Sequence, residues 1–135
     1  MANKVPYIGR GNQRFFVVTT PAAFNIDNGA GATVDYQLLN VSFDCYIQSV
    51  RAIYSEATDT TGAASANFKL GVSAGDASLV GATALEAAKA IGATTSATIT
   101  LDYLPANTTL WVRHTGVAST EVGQYFVQVV LLPKP

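Results

Sequence analysis

Alternation of apolar and polar residues is the strongest pattern in this chain, and it recurs in several short segments. Across residues 97–103 the odd positions are apolar and the positions between them are polar. A period of two residues is typical of a β-strand with one buried face. Residues 67–72 alternate in the same way. Residues 109–114 and 124–131 also alternate, but both of their faces are partly apolar, which predicts strands that are covered on both sides.

Three further strands are predicted at residues 15–20, 36–43 and 45–55. In the last of these the apolar positions change phase between Ile47 and Val50, and one extra residue near Ser49 would produce this change as a β-bulge. Short strands separated by turn chemistry favour an antiparallel sandwich or barrel. The turn sequences are Asp27-Asn28-Gly29, Asp59-Thr60-Thr61-Gly62, Gly75-Asp76 and Leu104-Pro105-Ala106-Asn107.

One segment departs from this pattern. Thr83 and Glu86 have the spacing of a helix capping box, alanine-rich residues follow, and Gly92 provides a stop. Residues 83–90 therefore predict either a helix of at most about two turns or a loop lying on the sheet, since isolated helices this short are marginal. We expect an all-β, jelly-roll-like antiparallel β-sandwich with at most one short helix. Residues 1–14 would form an N-terminal arm and residues 15–135 a single domain.

Composition excludes several classes of function. Eight basic and nine acidic residues among 135 leave a net charge of −1, too balanced for a protein that binds nucleic acid through a strongly positive surface. With one cysteine, Cys45, and one histidine, His114, we expect no internal disulfide, no Cys/His metal site and no cofactor. No signal peptide or membrane-spanning stretch is recognisable, although 49% of the residues are hydrophobic. A high hydrophobic content without a membrane-spanning stretch is explained if the surface consists of small neutral residues or is covered by other chains.

The sharpest enzymatic motif is Gly71-Val72-Ser73-Ala74-Gly75, which matches the nucleophile elbow of α/β-hydrolases. Asp102 and His114 follow Ser73 in the order of that catalytic triad. The elbow requires a strand, a sharp turn and a helix in a mainly parallel sheet, whereas the strands here are predicted to be antiparallel. We therefore assign no catalytic residue, and expect a hydrogen-bonded strand residue at His114 and a buried small hydrophobe at Cys45.

Two other features have structural interpretations. The segment Gly29-Ala30-Gly31-Ala32-Thr33 begins like a dinucleotide loop but lacks the third glycine and a following helix, so we interpret it as a turn. Trp111 and the six tyrosines would supply a sugar-stacking face, but an aromatic content of 10% is ordinary. We place most of these rings at the edges of the core.

The N-terminal arm carries a distinct charge. The first 26 residues contain three basic side chains and no acidic one, so this end carries +3 and the rest of the chain −4. One interpretation is a flexible, glycine-rich anchor whose arginines bind carboxylates of a neighbouring surface. The alternative is a frayed, solvated terminus. Apolar side chains in the arm favour the anchor, which we predict to consist of Lys4, Tyr7, Ile8, Arg10 and Arg14.

The chain resembles the small β-sandwich proteins of tailed-bacteriophage particles, most closely the capsid decoration, or cement, proteins. The resemblance implies a non-enzymatic protein, commonly trimeric, that sits on the outside of the head where major capsid subunits meet and contacts the capsid through an N-terminal arm such as residues 4–14. It rests on four stretches: Tyr36-Gln37-Leu38-Leu39-Asn40-Val41-Ser42-Phe43, residues 45–54, Asn67-Phe68-Lys69-Leu70-Gly71 and Gly123-Gln124-Tyr125-Phe126-Val127-Gln128-Val129.

We therefore expect a structural virion protein that binds the major capsid protein on the outer capsid surface and reinforces contacts between its subunits. It would act as a homo-oligomer, with a trimer favoured, and assemble in the host cytoplasm, with no nucleic-acid or membrane partner. The alternatives are a structural component of a phage tail, baseplate or fibre, a carbohydrate-binding β-sandwich module, and a serine hydrolase that uses Ser73.

Overall fold

Ten β-strands and no helix make up the described part of this computed structural model, which covers residues 15–59, 66–118 and 121–134. The predicted arm, residues 1–14, lies outside the described residues. In chain order the strands are β1 (Phe16–Thr19), β2 (Phe24–Asn25), β3 (Thr33–Val41), β4 (Cys45–Glu56), β5 (Asn67–Gly71), β6 (Val80–Ala84), β7 (Thr94–Ser96), β8 (Tyr103–Leu104), β9 (Thr108–Thr115) and β10 (Gln124–Pro133).

The strands form two antiparallel sheets. Sheet 1 has the order β1-β10-β4-β7, with β2 also paired to β10 and β8 to β4. Sheet 2 has the order β3-β9-β5-β6. When the two-residue strands β2 and β8 are set aside, this distribution of strands between two four-stranded sheets is that of a jelly roll. The predicted all-β, jelly-roll-like sandwich is confirmed.

The long pair β4 and β10 contains the predicted bulge. The register of β4 with β10 steps from Ser49 to Ile47 and leaves Gln48 without a partner. Because the bulge adds one residue to β4, the apolar side chains before and after the phase change point to the same face of the sheet. As a result Ile47 and Val50 are both buried, although they are three positions apart.

The core lies between the two sheets and is built from alternate residues of the facing strands. On β10 every second residue is buried and the residues between them are partly exposed. Phe24 stacks on His114 with ring centroids 5.2 Å apart, and Phe68 of sheet 2 contacts Tyr125 of sheet 1 at 6.0 Å. Fully burying a large apolar side chain stabilises the fold by about 1.5–3 kcal/mol, so a core of this kind holds the sandwich together.

The prediction of a strand at residues 97–103 is wrong. The amide of Ala97 bonds to the carbonyl of Val50 in sheet 1, whereas Ile99 forms an isolated bridge with Val80 in sheet 2. The chain therefore crosses from one sheet to the other within three residues. It resumes a strand only at β8, and Leu101, predicted to be inward, is 50% exposed.

The segment 83–90 contains no helix: its first two residues end the short strand β6, which the sequence pattern did not predict, and residues 85–90 form a loop. Thr83 belongs to β6, and the Glu86 carboxylate accepts a hydrogen bond from the Thr95 hydroxyl at 2.6 Å instead of capping a helix. Ala88 has a φ of +58°, a left-handed conformation that interrupts a right-handed helix. The loop alternative is confirmed.

Candidate functional site

The structure does not bring the residues of the hydrolase motif together as a triad. Ser73 is exposed in a turn that follows β5 of an antiparallel sheet, and no helix follows this turn in the described chain. Asp102 is exposed just before β8, whereas His114 is fully buried near the end of β9. A general base must lie within hydrogen-bond reach of its nucleophile, and both ring nitrogens of His114 are occupied by other residues.

His114 is held between the sheets by two hydrogen bonds. Its Nδ1 lies 2.6 Å from the Tyr125 hydroxyl and its Nε2 lies 3.2 Å from Asn28 Oδ1. Because the amide oxygen can only accept, Nε2 carries the proton, and the Tyr125 hydroxyl donates to Nδ1. Burial lowers the pKa of His114 from 6.5 to about 4, against a smaller opposite effect of the Asn25 backbone. The expected role of His114 as a hydrogen-bonded strand residue is confirmed.

The glycines of the hydrolase motif serve a tight turn. A side chain at Gly71 would collide with the backbone of Asp76, and Gly75 has a φ of +81° and packs against the guanidinium of Arg113. The Asp76 carboxylate accepts hydrogen bonds from the Val72 amide and the Ser78 hydroxyl, which lowers its pKa. The motif is therefore explained by turn geometry.

A cross-strand ion pair lies beside this turn. Arg113 of β9 donates to both carboxylate oxygens of Asp35, at 2.7 and 2.8 Å, and Asp35 lies directly opposite it on β3. These bonds lower the pKa of Asp35. Both side chains are partly exposed. Because the two charges pair with each other, they link β3 to β9 and neither is left for a ligand.

The other candidate sites of the sequence have structural roles. Cys45 is completely buried, and burial raises the pKa of its thiol, which confirms the expected small hydrophobe. Gly29 and Gly31 both have positive φ values in a turn, as expected. Among residues 15–59, 66–118 and 121–134 no group of three or more His, Cys, Asp or Glu side chains is placed to hold a metal ion.

The aromatic residues do not share one face. Tyr54 and Tyr125 are buried. Trp111 occupies an outward position of sheet 2, whereas Tyr46, whose ring lies 5.7 Å from that of Tyr103, occupies an outward position of sheet 1. The described rings therefore do not form a single stacking platform.

An apolar groove between the edges of the two sheets is the most distinctive surface feature. It opens between β1, the edge strand of sheet 1, and the end of β3, the edge strand of sheet 2. The groove has a volume of about 180 Å³. Its walls are Phe16, Val17, Val18, Leu39, Asn40, Val41, Ser42, Phe43, Cys45 and Leu131.

Large apolar side chains are exposed in the groove wall and at Phe15, the residue that precedes β1. Phe15 is 60% exposed and Val17 58%, and the rings of Phe16 and Phe43 contact each other at 5.5 Å while remaining more than 40% exposed. A run of exposed apolar residues of this kind marks an interaction surface. The sequence contained a signal for it, because residues 15–18 are apolar on both faces of a strand. That these residues lie at an edge depends on the topology.

The predicted anchor residues Lys4, Tyr7, Ile8, Arg10 and Arg14 lie outside the described residues. The domain to which they are attached contains all nine acidic residues and five of the eight basic ones. Within the described ranges there is no helix that is long and apolar enough to cross a membrane. In the sequence the three basic residues Lys4, Arg10 and Arg14 precede Phe15, and the next residue, Phe16, lines the groove.

Comparison with known proteins gives one similarity of fold. No family model matches the chain, and no curated protein matches its sequence. A chain of the solved structure described as "Cyanophage Pam1 capsid asymmetric unit" is similar, with a TM-score of 0.58 and 18% sequence identity. The similarity covers 90% of this chain and 86% of that chain. At this identity the similarity shows a shared fold.

Proposed function

We propose that this protein is a structural virion protein that binds the outer surface of a bacteriophage capsid and reinforces contacts between major capsid subunits. The observation that carries the proposal is the shared fold with a chain of a phage capsid asymmetric unit over nine tenths of the sequence. The resemblance of the sequence pattern to decoration proteins points in the same direction. The protein would act without catalysis, in the virion, after assembly in the host cytoplasm.

The described chemistry supports a binding role more than an enzymatic one. His114, the histidine that the triad would need, has both ring nitrogens engaged by Tyr125 and Asn28 in the core and not by Ser73. The exposed surface instead offers large apolar side chains outside the groove as well, which suit contacts with other subunits. They are Val72, Ile91, Leu101 and Val122, each more than 40% exposed. A homo-oligomer, with a trimer as the expected form, would cover such residues.

The arm supplies the charged part of the proposed contact. Lys4, Arg10 and Arg14 would bind carboxylates on the capsid surface, since arginine forms bidentate pairs with carboxylates. Tyr7 and Ile8 belong to the anchor as its apolar part. Many copies on a capsid lattice need only modest affinity each, because multivalency supplies the rest.

A binding assay on purified heads of the phage that encodes this chain tests the proposal. We expect the full-length variant Lys4→Gln, Arg10→Gln, Arg14→Gln to bind about tenfold more weakly at low salt, since exposed ion pairs contribute on the order of 0.5 kcal/mol each. The matched control neutralises three basic residues of the domain, Arg51, Lys69 and Lys89, and should bind like the wild type.

Salt provides the second arm of the same assay. Binding of the wild type should weaken as ionic strength rises from low to high salt, because exposed charges are screened. Equal binding of the two triple variants, together with no response to salt, would remove the arm from the contact. No binding of the wild type to heads under any condition would refute the capsid role itself.

A further inference from the structure

Within the part of the chain that the structure describes, the free edge of β1 has neither a charged residue, a proline nor a covering strand to protect it. Edge strands in soluble proteins are protected by lysine, proline, bulges or a covering segment, because unpaired backbone groups invite association with other chains. β1 has the sequence Phe16-Val17-Val18-Thr19, without charge or proline, and Phe15 precedes it. Its outer side chains are exposed. This strand therefore has the composition of an interior strand at the position of an edge.

The orientation of the β1 backbone shows which groups are unpaired. The amide of Thr20 donates to the carbonyl of Val127 on β10 at 3.0 Å. Backbone groups of successive residues in a strand point to opposite sides, so the amides of Phe16 and Val18 also face β10. The amides of Val17 and Thr19 face the free edge, where another strand would bind them.

The residues that precede β1 in the sequence include charged residues and a proline, which β1 lacks. Val5-Pro6-Tyr7-Ile8 is a four-residue apolar segment, the same length as β1, and it is flanked by Lys4 and Arg10. Gly9, Gly11 and Asn12 lie between this segment and β1, and these residue types favour the tight turn of a hairpin. Lysine, here Lys4, is one of the residue types that protect a terminal edge strand.

The groove is large enough for the ring of Tyr7, the aromatic residue of this segment. Its volume of about 180 Å³ is comparable with the roughly 150 Å³ apolar cavity that accepts a benzene ring. Tyr7 is the aromatic residue among residues 1–14. Its ring would contact Phe16 and Phe43 on the rim, and its hydroxyl would reach water, as is usual for a tyrosine at the edge of a core.

We propose that residues 5–8 of each chain fold back through a turn within residues 9–12, pair antiparallel with the free edge of β1, and place the Tyr7 ring in the groove of their own domain. The short connection favours the same chain over a neighbouring copy, because its effective concentration at the groove is of millimolar order. Lys4, Arg10 and Arg14 would then stand on a fixed hairpin. Tyr7 would serve the anchor by holding this hairpin on its own domain, and only the use of the three basic side chains toward a capsid rests on the proposed function.

Hydrogen exchange of the full-length protein, without phage heads, tests the pairing. We expect the amides of Val17 and Thr19 to exchange about tenfold or more slowly than unstructured amides, because exchange then requires local opening of the added strand. The amides of Phe16 and Val18, bonded to β10, are the internal reference. Exchange of Val17 and Thr19 at unprotected rates in the wild type would overturn the proposal.

Two full-length variants and a dilution series complete the test. Tyr7→Asp should remove the protection of Val17 and Thr19 by placing a charge in an apolar groove, and Asn3→Asp, with the same added charge outside the paired segment, should keep it. Protection that disappears on tenfold dilution would mean that a second copy is the occupant, and would overturn the assignment to the same chain. The variant Lys4→Gln, Arg10→Gln, Arg14→Gln should retain protection even if it no longer binds heads, so the two proposals fail separately.

Discussion

His114 is the one residue whose protonation would unsettle the core. It is fully buried and accepts a hydrogen bond at Nδ1, so protonation would turn that acceptor into a donor facing the Tyr125 hydroxyl. Its partner Asn28 is itself fixed by a hydrogen bond to the Ala32 carbonyl. The sequence phase alone placed this histidine inward on a strand. Neither partner was predictable, because both lie on other elements.

We predict that stability falls as the pH falls from 6.5 toward 4. In this window the unfolded chain binds a proton at His114, with its ordinary pKa of 6.5, while the folded chain, with a pKa of about 4, does not. Stability is therefore fully present above pH 6.5 and decreases by about 1.4 kcal/mol per pH unit, to a total loss of about 3 kcal/mol. Urea unfolding at several pH values measures this slope. A free energy of unfolding that is constant between pH 7 and pH 5 would show that His114 is not buried in its neutral form.

The hydrogen bond between His114 and Asn28 also requires a glycine at position 116. A side chain there would collide with Oδ1 of Asn28, which accepts from His114. Gly116→Ala should therefore lower the free energy of unfolding by about 1–3 kcal/mol, the cost of an unsatisfied buried polar group. Gly81→Ala is the matched control, since its added methyl group would meet no atom within 4 Å. Equal stabilities of the two variants in urea would contradict this role of Gly116.

At the scale of elements, hydrogen bonds from outside the segment decide the conformation of residues 85–92. The Glu86 amide donates to the Tyr54 hydroxyl at 2.9 Å, and that hydroxyl lies 2.7 Å from Thr95 Oγ1. The Thr58 hydroxyl donates to the Glu86 carbonyl and accepts from the Lys89 amide. These bonds fix the loop against β4 and β7, and they outweigh the local preference for a helix.

We predict that Tyr54→Phe loosens this loop. The variant keeps the ring but removes the hydroxyl that binds the Glu86 amide, so this amide should exchange faster and the free energy of unfolding should fall by about 1–3 kcal/mol. Tyr46→Phe, a change on the outward face of the same strand, should alter stability by less than about 0.5 kcal/mol. Unchanged exchange at Glu86 in Tyr54→Phe would show that the hydroxyl does not hold the loop.

Strands in which apolar and polar residues alternate over many positions can be predicted from the sequence. Elements whose conformation depends on contacts with other elements cannot. β4, β9 and β10 each have eight or more residues, so their period and the bulge near Ser49 were visible. β2, β7 and β8 have two or three residues, too few to show a period. Residues 97–102 alternate in sequence but cross between the sheets, which no local pattern encodes.

In the molecule as a whole, the jelly roll leaves an apolar groove at one edge, and residues 15–135 carry nine acidic and five basic residues whereas the sequence before them carries three basic ones and no acidic one. The apolar composition of residues 15–18 was visible in the sequence, but their exposure was not predictable, because it follows from the position of β1 at the end of sheet 1. The anchor residues were predicted from charge and apolar content alone. Their place on a partner remains a proposal that the fold likeness to a capsid chain supports.

Cryo-electron microscopy of heads from the phage that encodes this chain tests the central proposal most directly. We expect jelly-roll density on the outer capsid surface, at positions where major capsid subunits meet, with the side chains of Lys4, Arg10 and Arg14 against acidic residues of the capsid. Density for this chain only in the tail or baseplate, or its absence from mature particles that contain every other capsid component, would contradict it.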